Sequence, residues 1–383
     1  MRPLRILFIL EYFPPHVGGV EILFDHLSEA LARNGHQVRV ITLHLPGTPV
    51  REMRKGVEIL RIRTPQRARR YLFTVAGLPA AIRHAFHADI IHTTTYNAAL
   101  PGRLAAFVAR KPAVLTVHEI FADQWNNLLG LHPLAGHAFR CFEWMALHLM
   151  FAHYLCDSEY TRGRLVRLAG IASSRTSVVY PAVDYAFWDA ARHTPRRMKE
   201  ERGLAPDTYL YLYFGRPGIS KGVEYLIEAA TRVRDRLPNS HLVMLLADDP
   251  RDQYRRILQQ IAKLGLTDHI TVLDPVPRSD LPGYLLSADC VVIPSVSEGF
   301  GYAAIEAATL GSRVIATSGH SVQEVIGEHV TLVPPRDPDA LADAIVAPAA
   351  KEARIPVPRR FDLQTHVERV ERVYQSLVAP SPK

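Results

Sequence analysis

The sequence predicts an α/β protein made of two doubly wound domains in tandem. Three observations carry this. Short apolar runs alternate with helical stretches through the first half, the pattern of parallel βαβ units. The alternation stops at a polar, charged segment over residues 191–206, ARHTPRRMKEERGLAP. A second alternating series then begins. At 383 residues the chain is long enough for two cores of ordinary size.

The elements follow in order. Residues 5–10, RILFIL, read as a first buried strand. This apolar start is too short for a secretory leader and meets Glu11 at once. A turn comes next, Pro14-Pro15-His16-Val17-Gly18-Gly19. Val20, Leu23, Phe24, Leu27, Ala30 and Leu31 then recur at the spacing of a helix packed by one face, and Asn34-Gly35 ends it. Residues 38–43 form the next strand, and apolar runs at 90–91, 113–117 and 154–156 continue the sheet. The second series places strands at 209–214, 241–246, 270–273, 290–294 and 312–317. Its helices fall near 222–237 and 253–264, after 279, and from about 300. An amphipathic helix over 361–377 follows a proline-containing crossing at 355–358. The domains are therefore expected at 1–185 and 186–360. Doubly wound domains bind ligands outside the carboxyl ends of their strands. Two such crevices facing each other across an interdomain cleft would suit the joining of two substrates.

Composition narrows the class. Hydrophobic residues make up 48% and charged residues 22%, and mean hydropathy is near zero, which excludes a mainly disordered chain. Cys141, Cys156 and Cys290 form no CxxC pair, so a disulfide framework or cysteine-rich zinc site is not expected and a reducing compartment is. No run reaches the roughly 18 apolar residues of a membrane span. The most apolar candidate, 135–155, is broken by His137, Arg140, Glu143, His148 and His153. Charge is uneven: residues 1–180 hold 21 Lys+Arg against 12 Asp+Glu, a net of +9, and residues 181–383 hold 24 against 26, a net of −2. A basic first domain suggests an anionic partner, and the plain alternative is a solubilising surface. The run from Arg61 to Phe73, with five arginines running into Tyr71 and Leu72, reads either as a contact with an anionic membrane or as a solvated loop and helix start. No helix-turn-helix, RNP or zinc-finger pattern accompanies the charge, so nucleic acid is not an expected partner.

Two segments carry chemistry. Pro294-Ser295-Val296-Ser297-Glu298-Gly299-Phe300-Gly301, continuing to Glu306, lies where a buried strand gives way to a helix. Its glycines allow close backbone approach, a helix start favours phosphate, and two carboxylates can take pairs of sugar or ribose hydroxyls. Phe214-Gly215-Arg216-Pro217-Gly218-Ile219-Ser220-Lys221-Gly222 follows the first strand of the second domain. Arg216 and Lys221 beside a helix start make a diphosphate clamp. Taken singly, each segment also reads as a surface turn with ordinary charges. The GxxxxGK[ST] phosphate loop is absent. Asp337-Pro338-Asp339 reads as a helix cap rather than a metal pair. His118-Glu119 begins like HExxH, but Ala122 stands in place of the second histidine. No metal site is predicted.

Together these segments resemble the family 4, or group 1, retaining glycosyltransferases of the GT-B fold. The family's E-x7-E motif matches Glu298 to Glu306, and its GR…KG motif matches Gly215-Arg216 and Lys221-Gly222. Its glycine loop matches Gly18-Gly19, its T-x-H strand end Thr116-Val117-His118, its SE-x-T element Ser158 to Thr161, and its VD…F element Val183-Asp184 and Phe187. The matches run in family order over residues 5–377. The chain departs from the pattern at Ala247-Asp248-Asp249-Pro250, Asp274-Pro275-Val276, Pro181-Ala182 and Ser318-Gly319-His320-Ser321, which bears on the identity of the nucleotide.

The resemblance implies a UDP- or GDP-sugar as donor substrate, no cofactor, and a saccharide or lipid-linked acceptor held by the first domain. It implies that Arg216 and Lys221 neutralise the leaving diphosphate and that Glu298 binds the donor sugar. His118 would orient the sugar or the acceptor hydroxyl. Glu306 would hold the ribose. Gly18, Gly19, Gly215, Gly299, Phe300 and Gly301 would line the donor. It also implies that helix 361–377 crosses back to the first domain. The protein is expected in the cytoplasm, with the inner face of a membrane as a place of work. Two rivals stand beside this reading: a GT-B epimerase of nucleotide sugars, and a non-catalytic protein that binds them.

Overall fold

The computed structural model describes residues 2–16, 18–65, 67–127, 132–327, 330–348 and 359–379. The described residues fall into two compact units. Unit 1 takes those up to Asn127, those from 132 to Ala182, and those from Phe361 onward, and unit 2 takes those between Val183 and Arg360. The chain passes between units at Ala182/Val183 and Arg360/Phe361. The proline-containing crossing at 355–358 lies outside the described residues, as does Val17 of the first turn.

Unit 1 holds an eight-stranded sheet. Its strands are β1 (Arg5–Ile9), β2 (Gln37–Leu43), β3 (Arg51–Arg54), β4 (Val57–Ile62), β5 (Ile90–Thr94), β6 (Ala113–Val117), β7 (His153–Cys156) and β8 (Thr176–Val178). Their order is β3-β4-β2-β1-β5-β6-β7-β8. Every neighbouring pair is parallel except β3 and β4. Winding reverses between β1 and β5, where Ile6 pairs with both Val38 and Ile90. Alternation in β1 sends Ile6 and Phe8 to one face and Leu7 and Ile9 to the other. The first face packs on helix Gly19–Arg33 through Phe24, Leu27 and Leu31, and on helix Leu363–Val378 through Val367, Val370 and Tyr374. Each such buried large side chain contributes about 1.5–3 kcal/mol. Glu371 ties the last helix to the first, accepting from Asn34 at 2.8 Å and meeting His36 Nε2 at 3.0 Å.

Unit 2 holds six parallel strands, β9 (Tyr209–Gly215), β10 (Ser240–Leu246), β11 (Ile270–Leu273), β12 (Cys290–Ile293), β13 (Val314–Thr317) and β14 (Thr331–Val333). Their order, β11-β10-β9-β12-β13-β14, reverses between β9 and β12. Strands buried on both faces explain the unbroken apolar runs of β10 and β12.

The structure corrects three details. The basic run at 61–73 is not a solvated loop at its start: Arg61 lies in β4 and is buried. Its guanidinium reaches Glu52 at 2.6 Å and the carbonyls of Pro49 and Pro14. The β3–β4 hairpin closes through Lys55-Gly56, both with positive φ, and its charged residues hide a half-buried edge strand. Segment 191–206, expected as a linker with a short surface helix, does hold a short helix at Met198–Glu201, but it belongs to unit 2 and is anchored by the buried Trp188 and Met198.

Candidate functional site

In doubly wound sheets the loops at the reversal diverge and leave a crevice at the carboxyl ends. In unit 2 those loops follow β9 and β12, so the fold brings together the two segments singled out in the sequence. Hydrogen bonds sew them: Val296 N donates to Ser220 O at 2.7 Å. Gly222 has φ +63°, and a Cβ there would stand 2.0 Å from Pro294 O, so only glycine lets the loops meet. Gly301, at φ +89°, opens helix Tyr302–Thr309.

Lys221 Nζ lies 2.8 Å from Glu298 Oε1, and Ser295 Oγ donates to the same oxygen at 2.7 Å. Burial opposes charge on Glu298, but Lys221 and Ser295 outweigh it and hold the carboxyl below the ordinary carboxylate range. The loop after β13 supports this arrangement. Ser321 Oγ donates to Glu298 O at 2.7 Å, and His320 Nε2 and the Thr317 hydroxyl both meet Ser295 O. Arg216 is exposed and makes no ion pair among the described residues. The site thus has one cation locked to a buried acid and one left open to an anion.

Glu306 sits on helix Tyr302–Thr309, buried, with Arg278 Nη2 at 3.2 Å. Burial pushes its carboxyl up to about 7, and Arg278 offsets only part of this. The Arg278 guanidinium lies over the rings of Phe187 and Trp188, 5.1 and 5.2 Å from their centroids. Gly299 and Phe300 are buried, and the Phe300 ring packs edge-on to Tyr302 at 5.1 Å. Any ligand contact at Phe300 therefore falls to its backbone. Gly215 ends β9 with φ +152°. The Ser297 hydroxyl is buried without a hydrogen-bond partner among the described residues, an orphan in the middle of the motif.

Unit 1 has its own reversal, between β1 and β5. Gly18 caps helix Gly19–Arg33 in an extended conformation and accepts from Ile22 N at 3.1 Å. Beside it His16 Nδ1 meets Glu21 at 2.8 Å, and Glu11 binds Arg70 and, at 2.7 Å, Asn97. His118 stands just past β6 with Nδ1 2.7 Å from Asp157 Oδ2, while its Nε2 has no hydrogen-bond partner among the described residues. Ser158 caps helix Glu159–Ala169 by accepting from Thr161 N, so the SE-x-T element is a helix start. Asp337 likewise caps helix Pro338–Val346, accepting from Ala340 N at 2.9 Å. Among the described residues no group of three or more His, Cys, Asp or Glu side chains is arranged to hold a metal ion.

Sequence reasoning missed Asp157, Ser295, His320 and Arg278. Only Ser295 carried a local signal, three residues before Glu298. The others come from strands or loops distant in the chain.

Two segments adjoin at a strand reversal, the lysine of one paired with the buried acid of the other, which is the layout of a ligand-binding α/β protein built from two units. The patterns describing known families agree. That of the group 1 glycosyl transferases matches residues 196–349, and that of glycosyltransferase family 4 matches residues 17–187. The chain belongs to this family of glycosyltransferases. It is 28% identical over 341 residues to an uncharacterized glycosyltransferase of Methanocaldococcus jannaschii, covering 87% of this chain and 85% of that one. It is 28% identical over 358 residues to the D-inositol 3-phosphate glycosyltransferase of Xylanimonas cellulosilytica, covering 88% and 84%. In structure it is similar to HepE of Anabaena in complex with UDP-glucose, with TM-score 0.79, 20% identity, and 98% and 100% of the two chains covered. Sucrose-phosphate synthase of Thermosynechococcus elongatus gives TM-score 0.78 at 21% identity over 97% and 99%. The fold is GT-B. No helix among the described residues is long and apolar enough to cross a membrane.

Proposed function

We propose that this glycosyltransferase moves a hexose, with retention of anomeric configuration and without a metal, from a UDP- or GDP-sugar to a hydroxyl of a saccharide or lipid-linked acceptor. It works in polysaccharide or glycolipid assembly, at the inner face of a membrane when the acceptor is lipid-linked. The observation that carries this reading is the Lys221–Glu298 pair beside the unpaired Arg216 at the β9/β12 reversal. When the bond from the sugar's anomeric carbon to the diphosphate oxygen breaks, negative charge grows on the diphosphate. Arg216 and Lys221 are fixed cations for that charge, and preorganised charge is the strongest electrostatic aid an enzyme supplies. Glu298, held ionised, accepts hydrogen bonds from donor-sugar hydroxyls, and Glu306 from the ribose. In unit 1, His118 orients a sugar or acceptor hydroxyl, and Gly18 and Gly19 leave room for the diphosphate. The acceptor oxygen bonds to the anomeric carbon on the face the diphosphate leaves, and its proton passes to the departing phosphate oxygen. Two cations supply the charge that a divalent metal supplies elsewhere.

The test begins with thermal unfolding in the presence of UDP-glucose, GDP-mannose, UDP and GDP. A ligand at ~100 times its Kd adds about 2.7 kcal/mol of apparent stability. The stabilising nucleotide sugar is then incubated with saccharide and lipid-linked acceptors. Release of nucleoside diphosphate with a glycosylated product of unchanged anomeric configuration, unaffected by chelator, is the expected result. An intact but epimerised nucleotide sugar favours the epimerase, and binding without consumption by any acceptor favours a non-catalytic role.

A further inference from the structure

Helix Ala99–Ala109 of unit 1 is built inside out. Its buried face is made of Ala99, Pro101, Gly102, Ala105, Ala106 and Ala109. Its large apolar side chains, Leu104, Phe107 and Val108, point to solvent at spacing i, i+3, i+4, and Phe107 is 68% exposed. The inward side has no room for bulk: a Cβ on Gly102 would lie 2.8 Å from Thr93 Cγ2. A helix on a solvated surface ordinarily shows polar groups outward. Helix Pro133–Leu147 repeats the inversion, with Trp144 59% exposed, Met145 exposed beside it, and Met150 just beyond at 70%. The two helices form one surface. Arg103 Nε donates to the carbonyls of Leu149 at 2.7 Å and Met150 at 3.1 Å while its guanidinium lies 5.7 Å from the Phe107 ring.

Outward charge on the two helices has one sign among the described residues. Arg110 and Arg140 are exposed and make no ion pair among the described residues. The first helix carries no carboxylate. The single one on the second, Glu143, is buried inward and accepts from the backbone N–H groups of Phe121 and Ala122 and from Trp125 and Tyr96. Contiguous exposed apolar area marks an interaction site, and the absence of an outward acid on either helix among the described residues selects an anionic partner. Two copies of this face would oppose like charges with no carboxylate to pair.

We propose that this face docks on an anionic lipid bilayer. Phe107, Val108, Trp144 and Met150 enter the boundary between headgroups and acyl chains, and Arg110 and Arg140 meet lipid phosphates. The assignment moves the membrane contact away from residues 61–73, where Arg61 is buried and Arg70 is engaged by Glu11. It rests on the glycosyl-transfer reading only in giving a lipid-linked acceptor a place to arrive from, and its test uses no nucleotide sugar.

The full chain is sedimented with vesicles of equal parts phosphatidylcholine and phosphatidylglycerol, and with phosphatidylcholine alone. Binding to the mixed vesicles that weakens as salt rises is expected, together with quenching of tryptophan emission by brominated lipid that is lost in Trp144→Phe. The exposed double variants Phe107→Ser/Met150→Ser and Arg110→Glu/Arg140→Glu, with unfolding midpoints like the parent's, each weaken binding by about tenfold or more. Arg63→Glu/Arg67→Glu binds as the parent does. Unchanged binding in both patch variants overturns the proposal. So does loss of binding in the 63/67 variant alone, or self-association abolished by Phe107→Ser/Met150→Ser with no vesicle binding at all.

Discussion

The two sheets reverse their winding in the same way, yet the crevices they open are furnished differently. In unit 2 the loops after β9, β12 and β13 are sewn together, and the acids are buried: Glu298 against Lys221, Glu306 against Arg278. In unit 1 Glu21 and Asp157 are equally buried but meet histidines, His16 and His118, and Glu11 meets the more exposed Arg70. Burying a carboxylate is costly unless it is paired, and the units pair theirs differently: unit 2 uses a lysine and an arginine, and unit 1 uses histidines for Glu21 and Asp157. The physical lesson is that the same reversal of winding can hold a buried acid beside a permanent cation or beside a histidine.

The largest expected effect separates the two cations of unit 2. Lys221→Ala and Arg216→Ala each lower transfer on the order of 10²–10³-fold, about 2.7–4 kcal/mol, and Glu298→Ala also cripples it. Lys221→Ala in addition loses about 1–3 kcal/mol of stability, because Glu298 stays buried without its cation, whereas Arg216→Ala unfolds like the parent. Steady-state kinetics beside urea unfolding tests this, and equal stability losses in the two variants would break the comparison.

The next effect lies in pH. The folded carboxyl of Glu306 is raised to about 7 from an ordinary 4.5, so the folded chain binds this proton more tightly than the unfolded chain. Its contribution to stability is complete below about 4.5 and is lost as pH rises through about 7. Glu298 runs the other way: its carboxyl is lowered, so its contribution is present above the ordinary value and is lost as pH falls through the lowered one. Glu306→Gln should therefore remove on the order of 2–3 kcal/mol of the decline in stability between about pH 5 and 8. Urea titrations across that range that decline as steeply as the parent's refute the assignment.

A smaller effect is expected in unit 1. Asp157→Asn frees the His118 ring to turn, lowering kcat by about 10–100-fold with little change in KM. Stability should fall less than in Lys221→Ala, since the isosteric amide can still hydrogen-bond His118 and leaves no buried charge without a partner. Placed in a His118→Ala background, Asp157→Asn should change nothing further, and an additive loss would show that Asp157 acts elsewhere. The smallest effect is at Asp337→Ala, which costs about 0.5–2 kcal/mol as a lost helix cap and leaves transfer intact. Thermal unfolding together with an activity assay checks it, and a fall in transfer would return the Asp337-Pro338-Asp339 string to the site.

Much of this molecule was legible in the chain. Unbroken apolar runs such as 290–293 and 314–317 report strands covered on both faces, and glycines at 215, 222 and 301 report turns that a side chain would strain. The β3–β4 hairpin was not legible, because the charges of Arg51, Glu52, Arg54 and Arg61 mask its alternation, exposed with half-buried along the edge strand β3 and buried with half-buried along β4. Arg278 was not legible either, since nothing local to residues 274–280 announces a carboxylate on the helix after β12.

By itself the sequence determined which residues can carry charge, turn tightly or pack, and in what order the strands and helices come. That is local chemistry, and a single chain read end to end contains it. Only the tertiary structure decided which of those residues meet: strand order places the loops after β9 and β12 side by side and leaves Lys221 paired and Arg216 open. It also turned the bulky side of helix Ala99–Ala109 outward, because contact between Gly102 and Thr93 leaves no space inward. Pairing and burial depend on neighbours far apart in the chain, so they exist only once the sheet has fixed its order.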